Sequence, residues 1–101
     1  MRMWSVPPSK MCRRHLLGEH VELHMIVGSL NKGTSMEGYY AKGLVDTAGI
    51  TERHEALVDE MTARGMHHKS PLPTFYDPHR GHLDPDNQQE LLRRCPDCRS
   101  R

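Results

Sequence analysis

Three residues that can carry a charge or a proton recur at helical spacing near the start of the chain: His15, Glu19 and Glu22. Because residues four and seven positions apart lie on the same side of an α-helix, their side chains project from one face. A carboxylate on such a face could transfer protons or stabilise a developing positive charge. The same spacing is also typical of a solvated helix face, so the pattern alone leaves both interpretations open.

Two histidines form a second pair at this spacing, with His20 and His24 flanking Glu22. Imidazoles one helical turn apart could bind a divalent metal ion. The sequence offers no third ligand beside them, so a metal site on this helix is only weakly indicated.

A stronger metal-binding pattern lies near the C-terminus. His79 and His82 are followed after twelve residues by Cys95 and Cys98. Two imidazoles and two thiols have the count and spacing of a tetrahedral zinc site, so we expect structural zinc on these four residues. In the alternative interpretation the histidines are loop residues and the cysteines are unliganded thiols. Cys12 is expected to be a small buried residue of the first helix.

Helices are the elements that must position these residues. Apolar spacing predicts a long helix over 10–30, ended by 31–33, a short one over 36–42 and a third over 51–64. A last helix begins with Asp84 as its N-cap and precedes the Cys95–Cys98 pair. Residues 66–83 show no periodicity and predict an ordered loop rich in proline and histidine. We therefore expect an all-α domain of three to four helices.

The length and charge of the chain limit its class. With 101 residues and five aromatic side chains, one small domain over 1–101 is expected, with a helical core over 1–70. The formal net charge is +1, but both ends are basic and the middle is acidic. We expect a cytoplasmic protein without a membrane partner, because no signal peptide or long apolar run is present.

Two stretches of the sequence resemble a known family. The run RHLLGEHVELHMIVGSLNKG, preceded by Met1 and Arg2, resembles the bacteriophage endonuclease V family, which are pyrimidine-dimer DNA glycosylases with abasic-site lyase activity. The run RHEALVDEMTARGMHHKSPL is similar to the family's third-helix region. Together the resemblance covers roughly residues 1–70.

The resemblance implies a catalytic pair. It assigns the nucleophile to the N-terminal α-amine, here that of Met1, and the catalytic carboxylate to Glu22. An α-amine has a pKa of about 7.7 to 8, so a useful fraction is neutral and nucleophilic at physiological pH. No catalytic cofactor is implied. Val21 and Met25 stand where better-known members carry basic residues, so DNA affinity or lesion preference is expected to differ.

The resemblance also implies a partner, damaged double-stranded DNA, and a bacterium or a phage-infected host cell as the setting. We expect the protein to be a monomer. Contacts with phosphates are expected from Arg2 and His15, with further contacts from Arg13, Arg14 and Lys69. The alternative is a non-enzymatic, zinc-stabilised module that binds DNA or another protein. Under that alternative Glu22 is only a solvated side chain of the long helix.

Overall fold

Helices dominate the computed structural model, which describes residues 1–67 and 70–101. The helices are α1 (Arg13–Lys32), α2 (Glu37–Ala41), α3 (Ile50–Ala63), α4 (Asn87–Arg94) and α5 (Pro96–Arg99). Two strands, β1 (Leu44–Asp46) and β2 (Gly81–Leu83), and two single 3₁₀ turns, Pro8–Lys10 and Thr47–Gly49, complete the described elements. The expected helical fold is confirmed, with a short sheet and a fifth helix in addition.

The long helix α1 forms the centre of the fold. It begins later than predicted because Pro8–Lys10 is a separate 3₁₀ turn and Cys12 is extended at the N-cap. It ends as predicted at Gly33, whose φ of 74° is a left-handed conformation that favours glycine. The buried side chains of α1 pack against α3 around one core. The apolar residues that these two helices bury are Leu16, Leu23, Ile26, Val27, Ile50, Leu57 and Met61.

The predicted loop over 66–83 ends in a strand. In the antiparallel pairing of β2 with β1, Leu83 lies opposite Leu44 and Gly81 opposite Asp46. Gly81 has a φ of 86°, and a Cβ atom there would overlap the carbonyl oxygen of Val45. Strands of three residues are too short to show an alternating pattern, which is why the sequence did not reveal them.

The C-terminal helices return to the beginning of the chain. Asp84, the predicted N-cap, accepts a bond from the N–H of Asp86 in the preceding turn, and α4 begins at Asn87. Asn87 and Leu91 are the buried residues of α4. In the described part of the chain, every helix is too short or too polar to cross a lipid bilayer.

Candidate functional site

Glu19, one of the polar residues predicted to share a face of α1, is buried in the core instead of lying at the surface. This side chain is only 1% exposed, and its carboxylate accepts bonds of 2.7 and 2.8 Å from Nε and Nη2 of Arg53. Burial raises the pKa of Glu19, and the bonds from Arg53 oppose that shift. Because both carboxylate oxygens are occupied by Arg53, Glu19 serves to join α1 to α3.

Glu22, the predicted catalytic carboxylate, is half-buried on α1. Among the described residues, no hydrogen bond or ion pair engages it, so its oxygens remain able to accept protons or bonds. Its charge reaches His15, whose pKa is lowered by burial and by Arg14 while Glu22 opposes the shift. Glu22 is therefore the carboxylate of this face that is chemically available.

The N-terminal arm, residues 1–6, is held by backbone hydrogen bonds. The N–H of Met3 donates to the carbonyl of Leu44 at 2.8 Å. Asn87 donates from Nδ2 to the carbonyl of Met3 at 2.8 Å and accepts at Oδ1 from the N–H of Ser5 at 2.6 Å. Met1 packs partly buried against the core. Within the described residues, no hydrogen bond or ion pair joins the amine of Met1 to Glu22.

Arg2 is engaged within the protein. Its guanidinium lies 3.7 Å from the centre of the Trp4 ring, and Nη2 donates to Oε2 of Glu90 at 3.0 Å. The bond from Arg2 is the main reason why the pKa of Glu90 is lowered. In this conformation Arg2 ties the arm to α4 rather than offering its charge to a phosphate.

Three thiols and one imidazole meet where the two ends of the chain come together. These four side chains place their ligand atoms within 4.8 Å of one another and form what we call the thiol-imidazole cluster: Cys12, His15, Cys95 and Cys98. Such a donor set can hold a metal ion. The cluster joins the beginning of α1 to α5.

The ligand set predicted from the sequence needs a correction. Cys95 and Cys98 belong to the cluster, but His79 and His82 do not. His79 is 78% exposed with Nδ1 3.4 Å from Oδ2 of Asp77, and His82 is exposed on β2. The pairing of β2 with β1 keeps these histidines at the sheet, away from α5.

The residues that replace them carry a sequence signal of their own. Cys12 and His15 are three positions apart, the same spacing as Cys95 and Cys98, although the helical pattern places Cys12 in the core and the resemblance assigns His15 to DNA contact. Burial raises the pKa of the Cys98 thiol to about 12. Burial would also raise the pKa of Cys95, but hydrogen bonds from Cys98, Cys12 and Asp97 lower it overall.

The structure also supplies the third histidine that the α1 pair lacked. His54 on α3 brings its ring to 5.0 Å from His20 and 5.4 Å from His24, measured between ring centres. The ligand atoms of the three lie within 4.8 Å of one another. We call this group the three-histidine cluster. No sequence pattern indicated His54, because it lies on a different helix.

The exposed side of α1 is basic at its start and apolar further along. Arg13 and Arg14 are exposed and line an open groove of about 490 Å³ together with Arg101. Val21 and Met25 are 56% and 52% exposed. Lys69, the remaining predicted DNA contact, lies outside the described residues.

Comparison with known proteins adds an independent finding about this chain. A family profile described as pyrimidine dimer DNA glycosylase matches residues 1–74, which include the N-terminal arm and all of α1, α2 and α3. Neither the curated proteins nor the solved structures gave a significant match. The match covers most of the 101 residues and confirms the resemblance read from the sequence. The chain therefore belongs to the pyrimidine dimer DNA glycosylase family.

Proposed function

We propose that this protein excises pyrimidine dimers with the α-amine of Met1 and then cleaves the resulting abasic strand. The amine nitrogen bonds to the sugar C1′ as the bond from C1′ to the base breaks, and one nitrogen proton leaves with the base. The C1′–O4′ bond then opens, O4′ takes up the second proton as a hydroxyl, and C1′ and nitrogen remain joined as an imine. The imine acidifies the C2′ proton, whose removal expels the neighbouring phosphate by β-elimination. Both steps use groups of the chain and need no cofactor.

The observation that carries this proposal is the family match, which begins at residue 1 and spans Met1, Arg2, His15 and Glu22. The anchored arm supports it physically. An amine held close to its target loses less conformational freedom on reaching the transition state than an amine on a loose terminus. The bonds with Leu44 and Asn87 restrain the chain two residues after Met1.

Glu22 is the proposed catalytic carboxylate. Its negative charge would stabilise the cationic sugar as the base departs, and it would then move the C2′ proton. Glu19, one turn earlier on α1, is unsuited to either task because Arg53 occupies both of its oxygens. The contrast between the two carboxylates favours Glu22.

The exposed side of α1 is the proposed DNA-binding face. Arg14, Gly18, Val21 and Met25 fall at positions that share one side of a helix, and the last two are more than half exposed. Arg14 and its neighbour Arg13 would contact phosphates and fix the register of the duplex. Val21 and Met25 would lie against sugars or unstacked bases, where apolar side chains act as wedges. Kinking is least costly where a lesion already weakens the stacking.

Borohydride trapping tests this mechanism. Untagged protein is incubated with duplexes that contain a pyrimidine dimer or an abasic site, reduced, and mapped by mass spectrometry. We expect an adduct at the amine of Met1 on both damaged duplexes and none on undamaged DNA. Acetylating the amine should abolish the adduct, and Glu22→Gln should slow its formation by roughly a hundredfold or more.

Two results would contradict the mechanism. One is an adduct on a lysine side chain that survives blocking of the α-amine. The other is tight binding to damaged duplexes with no adduct on either, which would instead favour a non-enzymatic DNA-binding module.

A further inference from the structure

We propose that the thiol-imidazole cluster binds one zinc ion, which fastens α5 to the beginning of α1. Two of the distances match a tetrahedral site, and a third, 3.2 Å between Sγ of Cys12 and Nδ1 of His15, is shorter. Two sulfurs bound at about 2.3 Å in tetrahedral geometry lie roughly 3.8 Å apart, and a bound sulfur and nitrogen lie roughly 3.6 Å apart. Here Sγ of Cys12 is 3.8 Å from Sγ of Cys95, and Nδ1 of His15 is 3.6 Å from Sγ of Cys98.

The four ligands come from two short chain segments of the same design. Cys12 is the N-cap of α1 with His15 three residues later, and Cys95 is the N-cap of α5 with Cys98 three residues later. This spacing allows one segment to contribute two ligands to the same ion, and zinc sites are commonly built from two such pairs. Cys12 and Cys95 are 83 residues apart in the chain but adjacent in space.

The surroundings suit metal-bound thiolates. The N–H of Cys12 donates to Sγ of Cys98 at 3.2 Å, and the N–H of Cys98 donates to Sγ of Cys95 at 3.4 Å. Nη2 of Arg14 lies 3.9 Å from Sγ of Cys95. Donors and a cation around sulfur offset the negative charge that three thiolates would bring to a buried site. All three thiols are at most 8% exposed, so solvent cannot supply that compensation.

A disulfide is the competing use of these cysteines. Its sulfurs would have to approach to about 2.05 Å, whereas those of Cys12 and Cys95 are 3.8 Å apart and all three cysteines are free. A disulfide would also use only two of the three thiols and would leave the ring of His15 without a function in the cluster. Zinc uses all four groups.

The C-terminal segment needs such a fastening. Helix α5 has only four residues, and Cys98 is its one buried side chain. A helix this short has little apolar surface with which to stabilise itself. A metal bound only in the folded state contributes its binding free energy to folding, so zinc would hold α5 where packing is thin.

The test begins with the full, untagged chain, expressed with zinc in the medium and purified without chelators. We expect about one zinc per chain by elemental mass spectrometry. Cobalt exchanged into the protein should show thiolate-to-metal charge-transfer absorption, which the three-histidine cluster cannot produce because it contains no sulfur. A reduced chain that carries no metal, or one whose mass is lower by two hydrogens, would overturn the proposal.

Matched variants locate the ion. Cys98→Ser should lower the zinc content by roughly tenfold, whereas the double variant His79→Asn and His82→Asn should keep it. His15→Cys preserves four ligands and should retain the metal that His15→Ala loses. Loss of zinc in His24→Ala together with its retention in Cys98→Ser would place the ion in the three-histidine cluster and refute the assignment. The metal content of each variant is read without any assay of activity, so it does not depend on the proposed glycosylase.

Discussion

Oδ1 of Asn87 accepts a hydrogen bond from the backbone of Ser5 at 2.6 Å, although the two residues are 82 positions apart in the chain. Asn87 is fully buried at the first turn of α4 and also donates to the carbonyl of Met3. A single side-chain amide therefore fixes two peptide groups of the arm that ends in the proposed nucleophile. The position of that amine depends on a helix outside the part of the chain that matches the family.

Asn87→Leu should loosen the arm. The variant leaves the N–H of Ser5 and the carbonyl of Met3 without their partner, which costs about 1–3 kcal/mol of unfolding free energy. Trapping at a temperature where the variant is still folded should slow by roughly tenfold, because the amine is less well oriented. Asn31→Ala is the control, since Asn31 is exposed and, within the described residues, its side chain bonds only to the carbonyl of Thr74. Equal rates for the two variants would show that arm anchoring does not matter.

The two carboxylates of α1 should respond oppositely to the same isosteric change. Glu19→Gln leaves the partly buried guanidinium of Arg53 without a counter-charge and should lower the unfolding free energy by roughly 3 kcal/mol. Glu22→Gln should change it by no more than about 0.5 kcal/mol, because no hydrogen bond or ion pair among the described residues engages its carboxylate. Denaturant unfolding monitored by circular dichroism measures both. A large loss of stability in Glu22→Gln would mean that its carboxylate is structural.

Adding charge to the exposed side of α1 should strengthen DNA binding. Val21→Lys and Met25→Lys replace side chains that are more than half exposed, so the fold should tolerate them. Each lysine that meets a phosphate should steepen the slope of log affinity against log salt by about 0.9. Thr62→Lys adds the same charge at an exposed position of α3. If all three variants steepen the slope equally, net charge rather than the α1 face controls binding.

Acid should destabilise the protein through the carboxylates of α4 and its N-cap. The pKa of Glu90 is lowered by its bond from Arg2, and the pKa of Asp86 is lowered by its bond from Arg93. The stabilisation from such groups is present above their unfolded pKa values, about 4, and is lost as the pH falls through the lower folded values. Urea midpoints measured from about pH 5 down to about pH 2 should therefore decrease.

Glu90→Gln isolates one part of this effect. It should flatten the decline in urea midpoint and lower stability at neutral pH by less than about 1 kcal/mol, because the pair with Arg2 is partly exposed. Glu55→Gln, at an exposed position that forms no ion pair within the described residues, should leave the decline unchanged. A decline that is identical in both variants would assign the acid sensitivity to other groups.

The local parts of this structure were predictable, whereas the parts made by distant residues were not. Helical spacing located α1 and α3, and Gly33 marked the end of α1, because these signals act within a few residues. The partner of Glu19 is Arg53 and the third ring of the three-histidine cluster is His54, which only the packing of α3 on α1 brings near. No spacing along one helix reveals such neighbours.

The metal-ligand set illustrates the same limit. The spacing of Cys95 and Cys98 predicts that they are ligands, and it favours the nearest histidines in the chain as their partners. The structure instead places residues more than eighty positions away beside them, because α5 folds back onto the beginning of α1. At this place in the fold, the histidines nearest to Cys95 and Cys98 in the sequence are not the residues nearest to them in space.

Because the two ends of the chain contact each other, some parts of the fold can form only late in protein synthesis. Three hydrogen bonds join the beginning of the chain to its C-terminal helices and span 82, 88 and 86 residues: Ser5 with Asn87, Arg2 with Glu90, and Cys12 with Cys98. Contacts this distant in sequence form only after the intervening chain exists, so the arm cannot lock while the ribosome is still making residues 87–98. Residues 1–6, which are translated before α4 and α5, are thus among the last to reach their final positions. A nascent chain would carry residues 1–6 unanchored until α4 and α5 emerge, so the observed arrangement of the arm belongs to the finished protein and not to the growing one.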